Sequence, residues 1–168
     1  LGFAVAVSDD GRTIAAGAAG ENGGRGSVYV WVKSGGSWSD ATQDAKLTAP
    51  ILGGPPALLG TNVSISDDGS TIASGARQQN IYKGAVYVWV KSGSWSDATP
   101  DASLTASDAA NGDLLGYSVS ISDDGSTVAA GSRNDEGGKG SVYVWVNSGS
   151  WSDATQDAKL TADDAAAS

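Results

Sequence analysis

The chain contains no cysteine, no methionine and no histidine. Disulfide staples, thiolate nucleophiles, imidazole bases and the ligands that soft metals prefer are therefore excluded, and with them most nucleophilic and zinc chemistry. Absent cysteine does not by itself place the chain in a compartment. Basic residues are scarce: ten Lys and Arg stand against nineteen Asp and Glu, a formal charge of −9. A surface of that sign repels phosphate backbones, so no nucleic-acid partner is expected. No apolar run approaches membrane-spanning length and no signal peptide is present, so no membrane insertion is expected either. The first residue is Leu1 and it opens a repeat. The sequence therefore reads as a mature or excised piece of a longer product.

What is present is one pattern written three times. Leu1-Gly2, Leu59-Gly60 and Leu115-Gly116 each open a unit, and a Ser-Asp-Asp-Gly turn follows at 8–11, 66–69 and 122–125. A small-residue segment ending in Gly comes next, then Val-Tyr-Val-Trp-Val at 28–32, 86–90 and 142–146. Each unit closes on Trp-Ser-Asp-Ala-Thr and Leu-Thr-Ala. The units are 1–58, 59–114 and 115–168. Periods of this size mark an array whose single unit cannot bury its own faces.

The third unit shows the strand content. Residues 117–121 alternate polar and apolar, and Asp123-Asp124-Gly125 supplies residues that tolerate positive φ in a hairpin turn. Residues 127–131 form a small-residue second strand, and 142–146 form a third with valines on one face and Tyr143 and Trp145 on the other. A fourth strand is predicted over 151–160. Both faces of the third strand are apolar, so the sheet is expected to be covered on both sides. Four antiparallel strands with two covered faces describe a β-propeller blade, three to this chain. A two-sheet sandwich would show apolar/polar alternation in the central strands, and a solenoid would have shorter repeats.

With these motifs placed, the units resemble FG-GAP repeats, the blades of the integrin α-subunit propeller, and more closely a bacterial variety with a Trp-x-x-x-x-Lys-Leu-Thr-Ala outer strand. The Phe-Gly of the family stands here as the three Leu-Gly pairs. Its Gly-Ala-Pro stands as Gly17-Ala18-Ala19, Gly75-Ala76-Arg77 and Gly131-Ser132-Arg133, without the Pro. Its Gly-Ser/Ala-Val-Tyr-Val strand matches at 26–30, 84–88 and 140–144. The resemblance implies an all-β propeller fold and an extracellular or cell-surface setting. Integrin-type blades also carry a calcium loop between the first two strands. Here that loop has shrunk to adjacent pairs (Asp9-Asp10, Asp67-Asp68, Asp123-Asp124) with Thr at the downstream position. Calcium takes six to eight oxygens from spaced ligands. A plain hairpin is the preferred reading over calcium, and no metal or other cofactor is carried over.

The candidate contact residues lie in the loops between second and third strands, which differ while their surroundings repeat. They are Glu21, Asn22 and Arg25 in the first unit, Gln78, Gln79, Asn80, Tyr82 and Lys83 in the second, and Asn134, Asp135 and Glu136 in the third. The Pro-rich linker 50–56 is either an exposed patch or a packed loop. Trp31, Trp89 and Trp145 are expected between blades, and Trp38, Trp95 and Trp151 as buried clasps. Asp40, Asp97 and Asp153 are read as turn caps. The Asn62-Val63-Ser64 sequon sits inside a strand, a poor place for a glycan. No catalytic set is expected, since threefold copying is unlike an active site.

The expectation is a non-enzymatic binding or adhesion module with protein or glycan contacts through its loops. The alternatives are a multivalent lectin with pockets between blades and a structural subunit of an extracellular filament or coat. Three blades would leave two open apolar faces. The partners expected are therefore a second copy, giving a six-bladed dimer, or further repeats of a longer chain.

Overall fold

The computed structural model describes every residue except 51, 53 and 166–168. The chain builds three consecutive sheets. The first is β1 (Val5–Val7), β2 (Thr13–Gly17), β3 (Val28–Val32) and β4 (Ala45–Leu47). The second is β5 (Val63–Ile65), β6 (Thr71–Gly75), β7 (Val86–Val90) and β8 (Ala102–Thr105). The third is β9 (Leu115–Ile121), β10 (Thr127–Ser132), β11 (Ser141–Val146) and, after the two-residue β12 (Ala154–Thr155), β13 (Ala158–Leu160). Within each sheet the strands run antiparallel in chain order, except that β12 joins the second sheet in parallel beside β8. This all-β architecture matches propeller blades.

The Ser-Asp-Asp-Gly segments form the hairpins by local chemistry. Gly11, Gly69 and Gly125 take φ of 63°, 65° and 69°, which a side chain would resist. In the third hairpin the Asp124 carboxylate accepts from the Ser122 hydroxyl and the Ser126 amide, while the Ser122 oxygen accepts from the Thr127 amide. The first two hairpins repeat this wiring. The turns also link the sheets: Asp9 donates its amide to the Asp67 carbonyl, and Asp67 to that of Asp123, both at 3.0 Å.

The core lies between sheets. Val28 and Val30 on one face of β3 pack with Tyr87 and Trp89 of β7. Val86 and Val88 on the other face of β7 pack with Tyr143 and Trp145 of β11. Each valine face thus meets the aromatic face of the next sheet. Trp89 and Trp145 are fully buried, each removing roughly 4–6 kcal/mol worth of surface from water as an upper bound. Trp31 is only half-buried because its face ends the stack.

Two expectations need correction. The fourth strand predicted over 151–160 is broken: Ala154–Thr155 pairs in parallel with β8 of the preceding sheet, and only Ala158–Leu160 pairs with β11. Asp97 and Asp153 do not cap their own turns. Asp97 accepts the amide of Lys46 and Asp153 that of Ser103, each at 2.7 Å in the preceding sheet. The amides along the outer edges of β4 and β8 need acceptors, and the following unit supplies them.

Candidate functional site

The loops between second and third strands share one backbone shape. Each starts with a residue whose carbonyl accepts the amide of a downstream Gly: Glu21 from Gly26, Gln79 from Gly84, Asp135 from Gly140, at 3.0–3.1 Å. Left-handed residues follow. In the first loop they are Asn22, Gly23 and Gly24 (φ 50°, 71°, 87°), and in the third Glu136, Gly137 and Gly138 (52°, 73°, 96°). In the second they are Asn80, Ile81 and Tyr82 (51°, 57°, 63°). The left-handed region costs an L-residue about 1–2 kcal/mol, and a β-branched one is an outlier there. The second loop holds that conformation while displaying Ile81 and Tyr82 to solvent.

The first residue of each loop turns inward, which corrects its reading as a contact residue. Gln79 and Asp135 are buried and Glu21 is half-buried. Glu21 accepts from the Tyr29 hydroxyl at 2.7 Å and pairs with Lys46. Burial opposes its ionisation, but the hydrogen bonds from Lys46 and Tyr29 outweigh that and hold its carboxyl below the usual range. Asp135 accepts from Ser141 and Tyr143 and pairs with Lys159 at 2.7 Å. Burial again opposes ionisation, and Lys159 and Ser141 overcome it. Lys159 also reaches Asp108 at 2.7 Å and Glu136 at 3.2 Å; these carboxylates raise its affinity for its proton against the opposing effect of burial. In the second loop Gln79 donates to the Pro50 carbonyl at 3.1 Å. These three residues anchor the loops.

Asn22, Arg25, Asn80, Tyr82, Asn134 and Glu136 are exposed, and Gln78 and Lys83 half-exposed. Residues of the first two loops line one cleft. Asn22 and Arg25 face Pro50, Pro55 and Pro56 of the linker across a cleft of about 330 Å³ that reaches Gln79. The linker is packed on one side, with Gly54 against Ile81, and exposes Leu52 on the other. Its residues 51 and 53 lie outside the described residues. Asn134 instead donates to the Gly112 carbonyl at 3.0 Å. Sequence reasoning passed over Ile81, although its signal was there: Ile-Tyr stands where the other two units have Gly-Gly.

The outer tryptophans divide. Trp95 is buried and donates to the Gly69 carbonyl at 3.1 Å, and Trp151 is half-buried with the same bond to Gly125 at 3.0 Å. Trp38, expected as a clasp, is 43 % exposed because no preceding sheet covers it. Asn62 is half-buried and its side-chain oxygen accepts the Val119 amide of the next sheet at 3.0 Å. The Asp10, Asp68 and Asp124 carboxylates are engaged within their turns. Among the described residues no group of three or more acids is placed to hold a metal ion, and no helix is long and apolar enough to cross a membrane.

No curated protein matches the chain. Among solved structures, Kuenenia stuttgartiensis hydrazine synthase is similar at a TM-score of 0.59 and 19% identity, over 95% of this chain and 36% of that one. At this identity the likeness shows the fold alone, and the chain spans little more than a third of that protein. The sequence pattern of the FG-GAP repeat matches residues 99–145. That span runs from the last strand of the second sheet through the first three of the third, so the repeat as recognised straddles a sheet junction. Residues 99–145 are thus similar to an FG-GAP repeat, and they lie in a stack of three sheets of the propeller-blade kind.

Proposed function

We propose that this chain is a non-enzymatic β-propeller module of an extracellular or cell-surface protein, binding a protein ligand through the rim formed by its first two loops and the Pro-rich linker. The observation that carries the reading is the second loop. Ile81 and Tyr82 hold left-handed backbone where the equivalent positions are glycine, and both are solvent-exposed. Strain kept at an exposed loop points to a use for the side chains it displays. Beside them lie the Asn22–Arg25 cleft and the exposed Leu52. Aromatic, aliphatic and arginine side chains together are the composition of protein-binding hot spots. FG-GAP repeats typically occur in extracellular proteins, which supports the setting.

The test is selection of a random-peptide phage library on the immobilised chain, repeated on an Ile81→Gly/Tyr82→Gly variant and on Trp38→Ala. Enriched peptides should lose at least about tenfold in affinity, some 1.4 kcal/mol, on the double variant and bind Trp38→Ala normally. Peptides indifferent to the double variant would overturn the reading. A glycan array with hits abolished by Trp38→Ala would install the lectin reading in its place.

A further inference from the structure

Just past each third strand the chain makes the same backbone bond. Lys33 donates its amide to the Arg12 carbonyl, Lys91 to that of Ser70 and Asn147 to that of Ser126, at 2.7–2.8 Å. Three equivalent positions therefore carry Lys, Lys and Asn. They lie beside the Ser-Asp-Asp-Gly hairpins, at the ends of the strands opposite the variable loops.

Where the first and second sheets meet, a lysine completes this corner. Asp10 and Asp68 are held below the usual carboxylate range chiefly by hydrogen bonds, from Ser8 and from Ser70 respectively, and the Lys91 ammonium acts on both. Lys91 is half-buried, and Trp95, which begins the outer segment, is only 7% exposed. Where the second and third sheets meet, the same corner has the shorter, neutral Asn147. Its side-chain oxygen turns to its own loop and accepts the Gly149 amide at 2.8 Å. A cleft of about 350 Å³ remains between the two sheets. Trp151, the counterpart of Trp95, lines it and is half-buried, with its indole fixed by the bond to the Gly125 carbonyl. Thr71, Val90 and Asp101 of the second sheet form the opposite wall.

The charge around the cleft is one-sided. Asp101 and Asp124 border it, and among the described residues that line it none is basic. Asp101 accepts the Val90 amide at 2.7 Å, and Asp124 accepts only neutral donors, from Ser122 and Ser126. Neither carboxylate belongs to any ion pair among the described residues. An indole beside unpaired carboxylates attracts an organic cation, through the ring quadrupole and through charge. A metal ion would need more acids gathered at one point than these two provide.

We propose that this cleft binds a primary alkylammonium group, its charge answered by Asp101 and Asp124 and its carbon chain laid against Trp151. The ligand takes the role that a lysine of the chain itself holds at the preceding junction. A lysine side chain of a partner and a free polyamine share this chemistry. The cleft lies at the opposite ends of the strands from the rim, so it is a second site, independent of what the rim binds.

NMR of the isotope-labelled chain, titrated with cadaverine, reads binding at the Trp151 indole N–H and the Asn147 side-chain amide. Half-saturation is expected on the order of 1 mM, while pentanol, of the same chain length but uncharged, should leave both signals in place. Asn147→Lys restores the lysine and should weaken binding at least about tenfold. Asp101→Asn, which can still accept the Val90 amide, should weaken it as much, both with unchanged circular dichroism. Tighter binding of Nα-acetyl-lysine methylamide than of cadaverine assigns the cleft to a lysine of a partner protein, and the reverse order assigns it to a free polyamine. If cadaverine moves neither signal, the proposal is overturned. It is equally overturned if wild type, Asn147→Lys and Asp101→Asn respond alike, since the overall negative charge alone then holds the cation.

Discussion

Replacing Gly75 by Ala should be among the most damaging single changes available, although it adds one methyl group. Its Cβ would lie 1.9 Å from the carbonyl oxygen of Gly116 and within 3.1 Å of that residue's Cα. Both obstacles are backbone, so no rotamer change relieves them. The Leu115-Gly116 segment must withdraw from the second sheet. Withdrawal exposes Leu115, fully buried in the native chain, at a cost of about 1.5–3 kcal/mol. It also breaks the amide bonds from Leu114 to Tyr82 and from Leu115 to Lys83, each worth about 1 kcal/mol net. The total is about 3–5 kcal/mol, a large share of the 5–15 kcal/mol that typically holds a domain together. For a chain of this size it lowers Tm by about 10 °C. Gly20→Ala is the matched control. Gly20 has φ of −83° and no atom within 4 Å of a would-be Cβ, so it should change stability by less than about 1 kcal/mol, in the stabilising direction. Urea unfolding followed by tryptophan fluorescence, at a dilution where chains are monomeric, gives both numbers. If Gly75→Ala lies within about 0.5 kcal/mol of Gly20→Ala, the close approach of the two backbones does not govern the junction and the reasoning fails.

The tryptophans that begin the outer segments should separate by context: Trp95→Ala loses a buried side chain and its bond to Gly69, costing about 3–5 kcal/mol. Trp38→Ala at a largely open site should cost well under half of that, and equal losses in urea titrations would contradict the placement of Trp38. The hairpin carboxylates predict an acid limb. Hydrogen bonds from Ser122 and from Ser126 take Asp124 from 3.8 down to about 2, and Asp10 and Asp68 are lowered in the same way. A depressed carboxyl binds fewer protons folded than unfolded, so its stabilisation is complete above the ordinary value and fades as pH falls through the folded one. The urea midpoint should therefore drop between about pH 4 and pH 2, less steeply in Asp124→Asn; a midpoint flat across that window would refute the assignment.

Much of the scaffold was legible because it is local. The three hairpins are wired between residues no more than five apart, Ser122 to Thr127 for example, and the glycine at the turn is demanded by its own φ. The valine/aromatic alternation of β3, β7 and β11 follows from the two-residue period of a strand, so a sheet covered on both faces could be read from one unit. The threefold copy then implied a stack. The variable loops could be found by comparing units, since everything around them repeats.

The sequence by itself thus determined the strands, their turns and the need for each sheet to be covered by another. Only the tertiary structure decided which face meets which, and what crosses the junctions. Asp97 serves Lys46 and Asp153 serves Ser103 from roughly fifty residues away, a pairing that no local pattern encodes. The outer segment therefore read as one strand when it is shared between two sheets. Glu21, Gln79 and Asp135 looked like contact residues because polar side chains in loops usually face water. The loop's left-handed turn instead aims them inward, where Tyr29 and Lys46 meet Glu21, Tyr143 and Lys159 meet Asp135, and the Pro50 carbonyl accepts from Gln79. The Leu-Gly pairs read as unit openings, and their insertion beside Gly17 and Gly75 is a close approach of backbones. Side-chain patterns carry no trace of such an approach beyond the glycines that permit it.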